Sequence, residues 1–69
     1  MSEITLTVNG KPRQAPAGSS LLVLLAVLKL DPRSVVVEHN REIVRRLELD
    51  QHALHEGDQV ELVHFVGGG

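Results

Sequence analysis

The residues able to do chemistry in this 69-residue chain are four histidines, nine acids, seven bases, a Ser19-Ser20 pair and a terminal Gly67-Gly68-Gly69 run. His52 and His55 stand three apart, a spacing that puts two imidazoles on one side of a helical turn and would begin a metal site. His39 and His64 are far away in sequence, no third ligand follows at a recognisable spacing, and polar turn residues surround the pair. These histidines therefore read as part of a solvated loop. Glu38, Glu42 and Glu48 lie near Arg41, Arg45 and Arg46, a mixture that an exposed sheet rim also shows. They are assigned no catalysis, and Arg45-Arg46 at most a docking contact. Ser19-Ser20 lacks the Gly-x-Ser-x-Gly elbow of a nucleophile, and helix capping accounts for it. Cysteine is absent, which removes thiolate ligands, disulfides and a cysteine nucleophile. No acid/base pair, nucleophile or metal set is left, so the chain does not read as an independent enzyme.

The glycine run is what remains. Glycine without Cβ lets extended backbone thread a narrow cleft, and such a tail would present its own carboxylate as the reacting or recognised group. A frayed end or a linker is the ordinary reading of terminal glycine, but a linker joins something onward, and the expectation here is a tail that ends in a free carboxylate at Gly69. The expectation is one domain over residues 1–66, with a flexible tail at 67–69.

Composition narrows the partners. With 42% hydrophobic residues and 23% charged, the chain is globular in composition and small. A net charge of −2 and a single aromatic, Phe65, provide neither a basic field for phosphates nor stacking platforms for bases, which argues against nucleic acid. The longest apolar run, Leu21 to Leu28, falls far short of the roughly 20 residues that span a bilayer, and lies too far in for a signal peptide. A soluble, cytoplasmic protein with no membrane partner is expected.

The elements that must position the tail can be read in order. Ile4 to Val8 alternates apolar with polar at period two, and Asn9-Gly10 signals a tight hairpin. The returning strand, Lys11 to Ala15, holds Pro12 and belongs at a sheet edge. Ser19 or Ser20 caps a helix whose leucines at 21, 24, 25 and 28 form one stripe, with Asp31-Pro32 as the stop. Val35-Val36-Val37 reads as a strand covered on much of both faces, and Asn40 turns it into a short Glu42-Ile43-Val44 strand. Leu47, Leu49 and Leu54 should anchor an irregular connection, and Glu56-Gly57-Asp58 turns into a last strand from Gln59 to Val66. A sheet and a helix that cannot bury their apolar faces alone must pack together. The fold class expected is α+β, a β-grasp, ubiquitin-like roll with a mixed sheet of four to five strands and one main helix across it.

On the last strand, Val60, Leu62 and His64 face one way and Glu61, Val63 and Phe65 the other. If Val60 and Leu62 are core, Val63 and Phe65, with Val66, make an apolar docking patch beside the tail. Alternatively Phe65 folds over the domain edge as core.

The segment Val35-Val36-Val37-Glu38-His39-Asn40-Arg41-Glu42-Ile43-Val44, then Arg46, then Glu56-Gly57-Asp58 running through Val60-Glu61-Leu62-Val63-His64-Phe65-Val66 into the three glycines, resembles the ThiS family of sulfur carriers in thiamine thiazole biosynthesis. Val8-Asn9-Gly10-Lys11 and the leucine-rich helix fit the same resemblance, which covers the whole chain. It implies that a ThiF-like adenylyltransferase converts the Gly69 carboxylate to an acyl-adenylate. Sulfur from a cysteine desulfurase relay then yields a Gly69 thiocarboxylate, which the thiazole synthase ThiG consumes. Gly67 and Gly68 would thread the partner active sites, and no cofactor is bound apart from that covalent thiocarboxylate. The family's usual proline before the arginine is Arg45 here, and the Leu47 to Leu54 stretch lacks a usual aromatic. The rival readings are a MoaD-type carrier serving molybdopterin, whose chains are usually longer, and a ubiquitin-like docking module or protein tag.

Overall fold

The computed structural model describes residues 2–65. Strand β1 (Glu3–Val8) and β2 (Lys11–Pro16) form a hairpin, helix α1 (Leu21–Val27) follows, β3 (Val35–His39) and β4 (Glu42–Val44) form a second hairpin, and β5 (Gln59–His64) closes the order. A 3₁₀ turn at Pro32–Ser34 and a 3₁₀ helix at Arg46–Gln51 fill the connections. The sheet runs β2-β1-β5-β3-β4. β1 and β5 pair in parallel at its centre, and the other neighbours are antiparallel.

Both hairpins use two-residue turns whose central residues have positive φ: Asn9 (51°) with Gly10 (81°), and Asn40 (52°) with Arg41 (73°). That geometry matches the right-handed twist of the flanking strands. It also frees each asparagine amide to bond β5. Asn9 Oδ1 accepts from the Leu62 N–H at 2.7 Å and its Nδ2 donates to the Leu62 carbonyl at 3.2 Å. Asn40 Oδ1 accepts from the Gln59 N–H at 2.8 Å.

Ser20 caps α1, its hydroxyl accepting from the Val23 N–H. The helix ends with Lys29 N–H bonded to the Ala26 carbonyl and Leu30 N–H to the Leu25 carbonyl, a Schellman arrangement with Lys29 at φ 61° where glycine is usual. Leu21, Leu24 and Leu25 share one core with Leu6, Val8, Ala15, Val35, Val37, Val44, Leu49, Leu54 and Val60. One sheet face is thus covered and the other open.

Three local expectations change. Val36 is exposed, because only one face of β3 meets the core. Leu47 is 80% exposed, since the 3₁₀ helix turns only Leu49 inward. β5 ends at His64 rather than Val66, which lies outside the described residues. Pro12 sits on the edge strand β2, as its missing N–H requires. Among the described residues, no helix is long and apolar enough to cross a membrane.

Candidate functional site

The candidate site is the end of β5 and the sheet face beside it. β5 is held on both sides: by β1 at Gln59 and Val60, and by β3 from Val60 to His64. The Phe65 N–H continues the second ladder, donating to the Ser34 carbonyl at 3.0 Å. Chain position is therefore set by hydrogen bonds through Phe65. Gly67, Gly68 and Gly69, the expected reactive tail, lie outside the described residues, as does Val66.

Alternation along β5 puts Phe65 on the open face. Val60 is fully buried and Leu62 partly buried against the core, whereas Val63 (58% exposed) and Phe65 (43%) lie on the open face. Register puts Val36 directly across from Val63. A groove there is lined by Val36, Ile43 and Phe65, with Asp31, Arg33 and Arg46 among its polar residues. Arg33 Nη2 donates to Asp31 Oδ2 at 2.9 Å, and hydrogen bonds from the Arg33 side chain and backbone, assisted by the charge of Arg46, pull the Asp31 carboxyl down to about 2. Arg46 forms no ion pair among the described residues. The adjacent Arg45 is exposed and stands just before the 3₁₀ helix.

A second polar cluster, invisible to sequence spacing, ties the turn before β5 to the β3–β4 hairpin. His39 Nε2 lies 2.7 Å from Asp58 Oδ2, Asn40 Nδ2 donates to Asp58 Oδ1 at 3.1 Å, and the His55 N–H donates to Asp58 Oδ2 at 2.9 Å. Burial pushes the Asp58 carboxyl up, but the hydrogen bonds from His39, Asn40 and His55 outweigh it and hold it below the usual carboxylate range. His39 Nδ1 also stands 3.5 Å from His52 Nδ1. Of the His52–His55 pair expected in a solvated loop, His55 is exposed as expected but His52 is half-buried against the half-buried His39. Among the described residues no three ligating groups gather to hold a metal. Ser19, the other buried polar residue among those described, donates its hydroxyl to the Pro16 carbonyl, a local side-chain-to-backbone turn bond, and leaves the cap to Ser20.

A mixed sheet with parallel first and last strands at its centre and a single helix against one face defines a β-grasp domain. Similar in shape is the crystal structure of the thiamine biosynthesis protein ThiS from Geobacter metallireducens, with a TM-score of 0.81 and 38% identity over 96% of this chain and all of that one. The profile of the ThiS family matches residues 6–69, and the chain belongs to that family. The sulfur carrier protein ThiS of Bacillus subtilis is 44% identical over 46 residues, which is 67% of this chain and 70% of that protein. Thiazole synthases of Magnetococcus marinus and Paramagnetospirillum magneticum match at 45% over 62 residues and 42% over 64. The chain spans only about a fifth of the length of these two, 19% and 20%.

Proposed function

We propose that this chain is a sulfur carrier for thiazole formation in thiamine biosynthesis, with the Gly69 carboxyl group as the site of attachment. The single observation that carries the reading is membership of the ThiS family over residues 6–69, a match that includes the glycine run. A carboxylate is a poor acyl donor because resonance stabilises it. A ThiF-like adenylyltransferase would join Gly69 to AMP from ATP with release of pyrophosphate, giving a mixed anhydride with a good leaving group. The terminal sulfur of a persulfide, charged by a cysteine desulfurase relay, would then attack the acyl carbon and expel AMP. A thiol would reduce the resulting acyl disulfide, leaving the Gly69 thiocarboxylate. Because the chain has no cysteine, every thiol in the sequence of steps must come from a partner.

The thiazole synthase ThiG would be the acceptor. The occurrence of a similar segment inside proteins named thiazole synthase supports this pairing, since joining donor and acceptor in one chain raises their effective concentration. Val63 and Phe65, with Val66 beyond them, would form the docking patch, and Gly67 and Gly68 would pass through each partner's entrance. The small adaptor surface and the rigid strand end then do all that a carrier must: place a carboxyl carbon and leave the catalysis to the enzyme.

The test is the intact mass of the protein after incubation with ATP, a ThiF-type enzyme, a cysteine desulfurase and cysteine, against a sample without ATP. The expected result is a gain equal to replacing one oxygen by sulfur, mapped to the peptide ending in Gly69. An unchanged mass with active partners overturns the reading in favour of a docking module or a tag with another activating enzyme.

A further inference from the structure

The open sheet face carries a charge arrangement that the fold does not need. In the β3–β5 register Glu38 and Glu61 are Cα partners, so two carboxylates stand directly opposite each other on one face. Like charges in that position destabilise a sheet, and no basic side chain forms an ion pair with either glutamate among the described residues. Two residues further along each strand is the apolar pair Val36 and Val63, and beyond it Phe65 beside the Arg33 and Arg46 groove. There Arg33 is paired with Asp31, and Arg46, close enough for its charge to act on Asp31, forms no ion pair of its own among the described residues. At about 3.3 Å per residue, the acidic row and the Phe65 row are roughly 13 Å apart.

We propose that this face is a two-poled docking surface, fitted to an enzyme that presents a cation opposite Glu38 and Glu61, an apolar ridge over Val36, Val63 and Phe65, and a carboxylate against Arg46. The apolar centre supplies contact area and the two poles fix orientation, because turning the domain end for end would set like charges together. A carrier whose reacting carbon lies at the end of a strand needs such orientation more than it needs affinity. The inference rests on the carrier reading and names the chemistry of its activating partner.

The experiment measures ATP–pyrophosphate exchange by a ThiF-type enzyme as a function of carrier concentration and ionic strength, using wild type, Arg46→Glu and Glu61→Lys, with direct binding by calorimetry and thermal melts of each carrier alone. Both variants should raise KM about tenfold at low salt with kcat unchanged, and the gap should close as salt screens the poles. Glu61→Lys should also melt above wild type, since it replaces a repulsive pair by an attractive one. A higher melting temperature with unchanged KM and binding overturns the proposal for the acidic pole, and unaffected binding by Arg46→Glu overturns it for the basic one. Failure of the wild type to support exchange while still binding would overturn the carrier reading instead, and the salt dependence of binding would still decide the two poles.

Discussion

Replacing Asp58 by asparagine tests the polar cluster that seats β5. The carboxylate accepts from His39 Nε2 and the His55 N–H on one oxygen and from Asn40 Nδ2 on the other, with its side chain only 11% exposed. An amide has one acceptor oxygen. If that oxygen keeps His39 and His55, the new NH₂ faces the Asn40 NH₂, and Asn40 cannot flip without losing the Gln59 N–H held by its own oxygen. The variant loses the charge assistance of two bonds and leaves one donor unpaired, a cost of about 2–3 kcal/mol. A chain of this length has only about 3–10 kcal/mol of total stability. With a urea slope of about 1 kcal/mol/M, the unfolding midpoint should fall by roughly 2 M. Far-UV circular dichroism is the assay, because the chain has no tryptophan or tyrosine. The pH dependence carries a sign. The folded Asp58 carboxyl titrates below its ordinary value, so its contribution is fully present above about pH 5 and is lost as pH falls through the folded value. The gap between wild type and Asp58→Asn should therefore be constant near neutrality and shrink on acidification below about pH 4. A midpoint shift under about 0.3 M at pH 7, or a gap that persists undiminished in acid, would refute the reasoning.

Three further outcomes are expected. Lys29→Gly should raise the unfolding free energy by about 0.5–1 kcal/mol, because Lys29 holds a left-handed φ of 61° at the helix end where glycine meets no Cβ penalty; a lower melting temperature contradicts it. Phe65→Asp should leave stability within about 0.5 kcal/mol, as the ring is 43% exposed, while weakening calorimetric binding to a ThiF-like enzyme at least tenfold. Lost stability with intact binding would instead make Phe65 a core residue. Deleting Gly68 and Gly69 removes none of the ladder bonds described through Phe65, so the denaturation curve should be unchanged and the oxygen-to-sulfur mass gain abolished; sulfur transfer by the shortened protein would rule out Gly69 as the attachment site.

What could be read from sequence was local or periodic. Ile4, Leu6 and Val8 with Asn9-Gly10 specify a half-buried strand and its hairpin through neighbours alone, and Pro12 marks the edge because its missing N–H is an intrinsic property. Val35-Val36-Val37 shows the limit: three β-branched residues in a row carry no phase, so which faces are covered depends on the helix being on one side only. Leu47 fails for a related reason, as a 3₁₀ helix in an irregular connection has no period from which its inward face can be told. The site divides the same way. Parity along β5 puts Val63 and Phe65 together, but Val36 joins them through β3–β5 register and Ile43 and Arg46 through the β3–β4 hairpin and the 3₁₀ helix that follows it, which no local signal encodes. His39 and Asp58 are 19 residues apart, and their contact exists because the β3–β4 turn abuts the start of β5. The one available hint was Asn40, since an asparagine at a two-residue hairpin turn often has a side-chain amide to spare for a neighbouring strand.

The two asparagine turns explain how so short a chain gives a precise strand end. A central strand with a ladder on each side is fixed in translation along its own axis, but β1 pairs with β5 only at Gln59 and Val60 before it turns away. Asn9 replaces the missing peptide: its side-chain amide accepts from the Leu62 N–H and donates to the Leu62 carbonyl, adding another bonded step where the backbone of β1 is no longer available. Asn40 secures the opposite end at Gln59. Beyond Leu62 the hold passes to β3 alone, through His64 and the Phe65 N–H. Backbone hydrogen bonds thus locate the chain through Phe65, the last residue described.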